Sequence, residues 1–204
     1  MDDYLSNIDT VVNSDDVEVT NTKGMLDDVT DSGSQFNDQA NEVERIEAYT
    51  TGDAGNLVIG EKPDKIKLEP QFGADNKDVD AKLISKNSDG DIENIEYVEF
   101  KRLSGNDFDD NLFDNLITDD QRKSSANRKF LEIGDRTEDG SENIGEITID
   151  YDRYNIDSDA QAQVRISNVI DKNIEPGIVK QFKLDRVRVK PVDGKSFEFI
   201  VSDN

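Results

Sequence analysis

Two short runs of alternating side chains flank a turn near the middle of the chain. In residues 78–85 the apolar Val79, Ala81 and Leu83 alternate with Asp78, Asp80 and Lys82. In residues 92–103 Val98 and Phe100 alternate with Tyr97, Glu99 and Lys101. Successive side chains of a strand point to opposite faces, so each run is a strand with one apolar face. The segment between them, Lys86-Asn87-Ser88-Asp89-Gly90-Asp91, is rich in turn formers and predicts a hairpin with its tip at Asp89-Gly90. A two-stranded hairpin is marginal in water, so these residues require further strands and a covering layer.

The rest of the chain supplies both. Leu5, Ile8 and Val12 predict a short first helix. Leu26, Val29, Gly33, Phe36, Ala40, Val43 and Glu47 step by three and four, with a break at residues 31–34 and a second helix over roughly 35–50. From residue 56 the period shortens. Residues 56–61 and 65–72 read as strands, the second ended by Pro70. Leu112, Phe113, Leu116 and Ile117 mark a helical stretch. Thr118-Asp119-Asp120-Gln121 then has the form of a capping box, opening a helix that stops at Gly134. Residues 145–154 read as a strand and residues 158–171 as a helix. Two closing strands form a hairpin around Asp193-Gly194. The expected class is α+β (mixed α/β): a central mixed sheet flanked by helices. An acidic helical N-terminal region, residues 1–55, precedes an α/β core, residues 56–204.

Charge and missing residue types restrict the chemistry. The 204 residues carry 47 acids and 24 bases, a formal charge of −23. Fourteen acids and two bases fall within the first 60 residues. Such a surface repels itself unless salt screens it, which points to a salt-adapted organism. Without Cys there is no disulfide framework or zinc–thiolate site. Without His, Ser–His and Cys–His catalysis and most transition-metal sites are excluded. No basic segment leads into an apolar stretch at the N-terminus, and no apolar run approaches the roughly 18 residues of a membrane span. A soluble protein is expected, in the cytoplasm of such an organism or as a piece of a longer exported chain.

Carboxylates, Lys, Tyr and hydroxyls remain. On the second strand of the hairpin Glu99 and Lys101 project together, and pairing with residues 78–85 brings Asp80 near Glu99 on the same face. Two hard oxygen ligands suit Mg²⁺ or Mn²⁺, ions that keep several waters and pair with phosphate oxygens. A neighbouring ammonium can orient the nucleophile or neutralise developing charge.

This constellation resembles the PD-(D/E)xK superfamily of restriction-endonuclease-like nucleases, whose signature is an Asp on one strand and an acid-x-Lys on the next. The resemblance covers roughly residues 36–154. It implies a restriction-endonuclease-like core with Asp80 and Glu99 as metal ligands and Lys101 as the catalytic lysine. The Phe100 carbonyl is implied as a further ligand, and Glu44 or Glu47 as an additional acid from the preceding helix. Acid-x-Lys occurs four times, at Asp75/Lys77, Asp80/Lys82, Glu99/Lys101 and Asp193/Lys195. Only the third lies inside an apolar strand whose hairpin partner bears its own acid. The literal Pro63-Asp64 lies one strand too early, so Asp80 is preferred, with Asp78 and Asp64 as alternatives.

A nucleic-acid substrate, DNA in preference to RNA, needs cations for its phosphates. Residues 121–129 carry Arg122, Lys123, Arg128 and Lys129 and no acid, and Arg102 directly follows the catalytic triplet. A second cluster holds Lys180, Lys183, Arg186, Arg188 and Lys190, with pairing to the chain's own acids as an equal alternative to phosphate contact. The acidic N-terminal helices are either a solvated cap or a connector to a larger delivery protein. Such helical lead-ins resemble those of polymorphic-toxin nuclease modules, which implies a cognate immunity protein. The rival expectation is a non-enzymatic halophilic binding or structural module, in which Glu99 and Lys101 form only a salt bridge. The acid-rich stretches 107–110 and 135–142 offer Ca²⁺ a loop but lack EF-hand spacing.

Overall fold

A seven-stranded mixed sheet carries the chain, seen in a computed structural model that describes residues 2–22, 35–52, 62–68, 71–72, 77–110, 112, 140–173 and 184–201. In chain order the elements are α1 (Asp2–Val12), β1 (Glu18–Thr20), α2 (Gln35–Thr51), β2 (Lys65–Leu68), β3 (Gln71–Phe72), β4 (Lys77–Asp78), β5 (Ala81–Lys86), β6 (Ile92–Arg102), β7 (Glu142–Ile149), α3 (Tyr151–Tyr154), α4 (Asp159–Asn173), β8 (Arg186–Pro191) and β9 (Phe197–Ile200). The sheet order is β1-β2-β5-β6-β7-β8-β9, while β3 and β4 pair separately. From β2 through β5 to β6 the strands run as an antiparallel meander. β7 then returns parallel to β6 and β8 parallel to β7, and β9 closes an antiparallel hairpin. The mixed sheet with helices is the α+β class expected.

The central hairpin forms where the sequence places it. Asn87 Oδ1 accepts the amides of Asp89 and Asp91, both at 3.0 Å, and Gly90 takes φ +85°. A side chain is strained at that angle, so glycine is the residue that fits the tip. The closing hairpin around residues 193–194 also forms, between β8 and β9.

Both faces of the sheet are covered. Tyr4, Ile8 and Val11 of α1 and Val43, Ile46 and Tyr49 of α2 pack on one face, against Ile66, Leu83, Val98, Phe100 and Ile144. On the other face Ala162, Ile166, Val169 and Ile170 of α4 pack against Ile147, Ile149, Val187 and Val189. Fully burying one such aliphatic side chain is worth about 1.5–3 kcal/mol. Residues of the 1–55 stretch therefore share a core with the strands that follow.

Several local expectations shift. The buried stripe of α1 is Tyr4, Ile8 and Val11, whereas Leu5 and Val12 are 48% and 45% exposed. The run 145–154 divides: β7 ends at Ile149, and Asp150 caps α3 by accepting the Arg153 amide at 3.1 Å. Asn155 ends that turn with φ +50°. α4 has a physical start, because Ser158 Oγ accepts the Gln161 amide and the Gln161 side chain returns to the Asp157 amide. Val79 does not share a face with Ala81 and Leu83. The chain bends between β4 and β5, so Val79 packs with Tyr97 while Ala81 and Leu83 join the α1–α2 side. Residues 56–61 and the helices expected over 113–134 lie outside the described residues.

Candidate functional site

β6 holds the site. Its even-numbered Val98 and Phe100 enter the core under α1 and α2, so the period of two sends Tyr97, Glu99 and Lys101 to the opposite face. Lys101 Nζ lies 2.6 Å from Glu99 Oε1, an ion pair in which Glu99 is buried and Lys101 is about one-third exposed (31%). β5 pairs Ala81 with Val98 and Lys82 with Tyr97. The ladder stops at the Ala81–Val98 pair, one residue short of Asp80. Asp80 sits at the bend before β5, half-buried, and its Oδ2 accepts the Phe100 amide at 2.6 Å. That amide lies beyond the last β5–β6 pair, so the carboxylate extends the ladder just before strand β5 begins. Lys82 lies over the ring of the buried Tyr97, 5.3 Å from its centroid, on the same face.

Two neighbours escaped the sequence reading. β7 runs parallel beside β6, pairing Tyr97 with Asn143, Glu99 with Gly145 and Lys101 with Ile147. Gly145 thus stands beside the Glu99 carboxylate without a side chain. Neither residue type announces chemistry by its spacing, and the parallel register that brings them there is not written in a local motif.

The alternatives to Asp80 lie elsewhere. Asp64 precedes β2 and its Oδ2 accepts the Lys86 amide at 2.6 Å, at the far end of β5. That end is roughly 20 Å along the strand from Asp80. Asp78 belongs to β4, which pairs with β3 outside the main sheet. α2 packs on the face opposite Glu99, with Glu44 exposed and Glu47 half-buried. Arg102 is exposed, one step after Lys101 and so on the other face. Arg122, Lys123, Arg128 and Lys129 lie outside the described residues. Asp107 Oδ1 accepts the Asp110 amide at 3.0 Å, a local capping contact.

The described part of the second basic cluster takes internal partners. Lys180 and Lys183 lie outside the described residues, but Arg186, Arg188 and Lys190 lie on β8 and point into internal partners. Arg188 is buried and donates to Glu96 at 2.7 Å, Glu198 at 2.5 Å and the Tyr49 hydroxyl at 2.9 Å. Arg186 bridges Glu198 and Glu142 at 2.8 and 2.9 Å. Lys190 donates to the carbonyls of Pro191 and Gly194. These cations are neutralised or capped from inside, because each occupies a position two residues from the next on the face that α2 covers. Glu146, also buried, completes the network by accepting from Arg45 Nε and from the Tyr49 hydroxyl. Burial pushes the Tyr49 hydroxyl far above its ordinary range, and the Glu146 charge adds to the shift. Burial opposes the Arg188 charge, yet the Tyr49 oxygen, Glu96 and Glu146 hold its pKa well above the ordinary value.

The donor chemistry at Asp80 and Glu99 fits a hard cation: two carboxylates and nearby main-chain oxygen are what Mg²⁺ and Mn²⁺ take. Among the described residues no third acid gathers with them. Among the same residues no helix is long and apolar enough to cross a membrane. No protein-family model matches the chain, and no curated protein matches it. The site therefore stands on its own geometry.

Proposed function

We propose that this chain is a metal-dependent endonuclease of the PD-(D/E)xK kind, hydrolysing phosphodiester bonds in nucleic acid, DNA in preference to RNA. One observation carries the reading. Asp80, at the bend before β5, accepts the amide of Phe100, the residue after Glu99, and Lys101 lies 2.6 Å from Glu99 on the same face. That is an acid just before one strand and an acid-x-Lys on the next, in a chain whose lack of His and Cys leaves carboxylate, lysine and hydroxyl chemistry.

Asp80 and Glu99 would hold Mg²⁺ or Mn²⁺, with the Phe100 carbonyl as a further oxygen. Such an ion supplies polarisation of the phosphoryl group and a more acidic bound water. Lys101, an ammonium with its head partly in solvent, donates to the attacking water or to a phosphoryl oxygen and offsets charge that builds there. Water oxygen bonds to phosphorus as the bond from phosphorus to the leaving sugar oxygen breaks. The ion pair with Glu99 fixes where the ammonium points before substrate arrives. Arg102 and the basic residues of 121–129 are the candidates for backbone phosphates. A role as the toxin module of a larger protein, with an immunity protein as partner, rests on the family resemblance alone.

A second reading draws on the burial of Glu99, 1% exposed, and on the engagement of Asp80 with the Phe100 amide. Both acids then have structural work, and the chain is a binding module without catalysis. Plasmid cleavage in molar KCl with Mg²⁺ or Mn²⁺ separates the two. The nuclease nicks DNA, and Glu99→Gln and Lys101→Ala each lose on the order of 10²–10³-fold in rate. Cleavage indifferent to both substitutions would sink the site. Intact DNA and RNA under every salt condition leave the binding module.

A further inference from the structure

Asn143 keeps a polar atom where the fold gives it nothing to do. The residue is 2% exposed, and its Oδ1 accepts no hydrogen bond among the described residues. Its main chain is fully used: the amide donates to Asp185 Oδ2 at 2.7 Å, and the carbonyl accepts the Asp185 amide at 2.9 Å. The strand is thus pinned at this residue while the side chain carries an open acceptor. Burying an amide oxygen without a donor costs stability that an apolar side chain of the same size would not. Thr148 Oγ1 is similarly buried without a partner, but it falls on the opposite face of β7.

The direction of Asn143 follows from its strand. Ile147 and Ile149 enter the core on the α4 side and Ile144 enters the core under α1 and α2. Asn143, odd-numbered like Ile147, therefore shares the face of Glu99. It pairs with Tyr97 and lies diagonally from Glu99, and Gly145 fills the β7 position directly beside Glu99 without a side chain. Diagonal neighbours on a sheet face stand about 7–8 Å apart. An ion with its first waters, at about 2.1 Å metal–oxygen distance for Mg²⁺, spans such a gap.

We infer that Asn143 is a further oxygen donor of the Asp80–Glu99 site, positioned for a divalent cation or one of that cation's waters. The inference rests on the nuclease reading and names a residue the family resemblance does not supply. An amide is suited to the place. Asp80, Glu99 and Lys101 together carry one net negative charge, and a neutral oxygen adds coordination without further repelling a phosphodiester. Gly145, the β7 partner of Glu99, places no side chain beside it.

The test uses the full chain in high KCl. Mn²⁺ affinity is measured by calorimetry, and melting temperature is measured without metal and with Mg²⁺. Asn143→Leu should lose at least tenfold in Mn²⁺ affinity and most of the Mg²⁺-induced rise in melting temperature. Its metal-free melting temperature should equal or exceed wild type, because the buried acceptor is gone. Asn143→Asp should restore binding to wild-type strength or better, which a purely structural role for residue 143 would not produce. Wild-type affinity in Asn143→Leu overturns the inference, and so does a metal-free melting temperature well below wild type. Where wild type binds Mn²⁺ and cleaves but Asn143→Leu is unchanged, only the role of Asn143 falls. Where wild type binds no divalent ion, the nuclease reading falls with it.

Discussion

Arg188 on β8 donates to the Tyr49 hydroxyl on α2 at 2.9 Å, and that hydroxyl donates onward to Glu146 on β7 at 2.5 Å. This chain of contacts ties a helix to the two parallel strands behind it. It occupies the face of the sheet opposite Glu99, so two buried carboxylates, Glu99 and Glu146, stand on adjacent strands and point away from each other. One is enclosed by an arginine and a tyrosine. The other pairs with a lysine that reaches solvent. The same residue type thus joins an arginine and a tyrosine on one face and a lysine on the other.

The Tyr49 contact gives stability a basic limit. Burial, reinforced by Glu146, raises the Tyr49 pKa in the folded chain, while the unfolded chain keeps its ordinary value of about 10. Below that pH both states are protonated and the contribution is complete. Above it the unfolded chain loses its proton first, so folding weakens by about 1.4 kcal/mol per pH unit for this group until the folded pKa is reached. Melting temperature should fall steeply above pH 10, and Tyr49→Phe should flatten that fall by about one proton. An unchanged slope in the variant would show that Tyr49 is not the group responsible.

Removing one side of the network should be costly in proportion to burial. Arg188→Ala leaves Glu96 and Glu198 facing each other without their shared cation, and breaking a buried pair in this way costs about 3–5 kcal/mol. Arg186→Ala breaks pairs whose arginine side chain is 32% exposed, worth about 0–1 kcal/mol. Urea midpoints of the two variants should differ accordingly. Equal losses would mean that β8 is held by its apolar Val187 and Val189 rather than by its charges.

What could be read in the sequence was what local pattern encodes. The hairpin at Asp89-Gly90, the second helix and the closing hairpin announce themselves by spacing and turn chemistry. The division at Asp150 did not, because the alternation of residues 145–151 runs straight through a helix cap. For Arg186, Arg188 and Lys190 the sequence left phosphate contact and internal pairing equally open; their spacing of two is that of one strand face, and only the placement of α2 decides that this face is buried. The Glu99–Lys101 pair was legible because residues two apart on a strand share a face, and Asp80 lies one residue before the strand that pairs with β6. Asn143 and Gly145 were not, since a parallel partner some forty residues on has no local signature.

Salt should stabilise the fold. At −23 the surface repels itself, and the screening length falls from about 10 Å at 0.1 M to about 3 Å at 1 M salt. The buried network is shielded from that screening by its position. Melting temperature should therefore rise between 0.1 and 2 M KCl in wild type and in Arg186→Ala alike. A fall on adding salt would mean that ion pairs at the surface, such as Lys65–Glu18 at 2.6 Å, outweigh the general repulsion.

Asp80 separates structural work from chemical work. Its Oδ2 accepts the Phe100 amide at 2.6 Å where β5 no longer pairs, so part of its role is to end the ladder. Asp80→Asn keeps an acceptor for that amide but loses the charge a cation needs. Asp80→Ala loses both. A charged acceptor is worth about 1.5–3 kcal/mol and a neutral one about 0.5–1.5, so Asn should cost about 1 kcal/mol and Ala about 2. Cleavage and Mn²⁺ binding should instead fall together in both variants, by at least a hundredfold and tenfold respectively. A protein with Asp80→Asn that still binds Mn²⁺ and cuts DNA at the wild-type rate would confine Asp80 to the ladder and leave Glu99 without its partner acid.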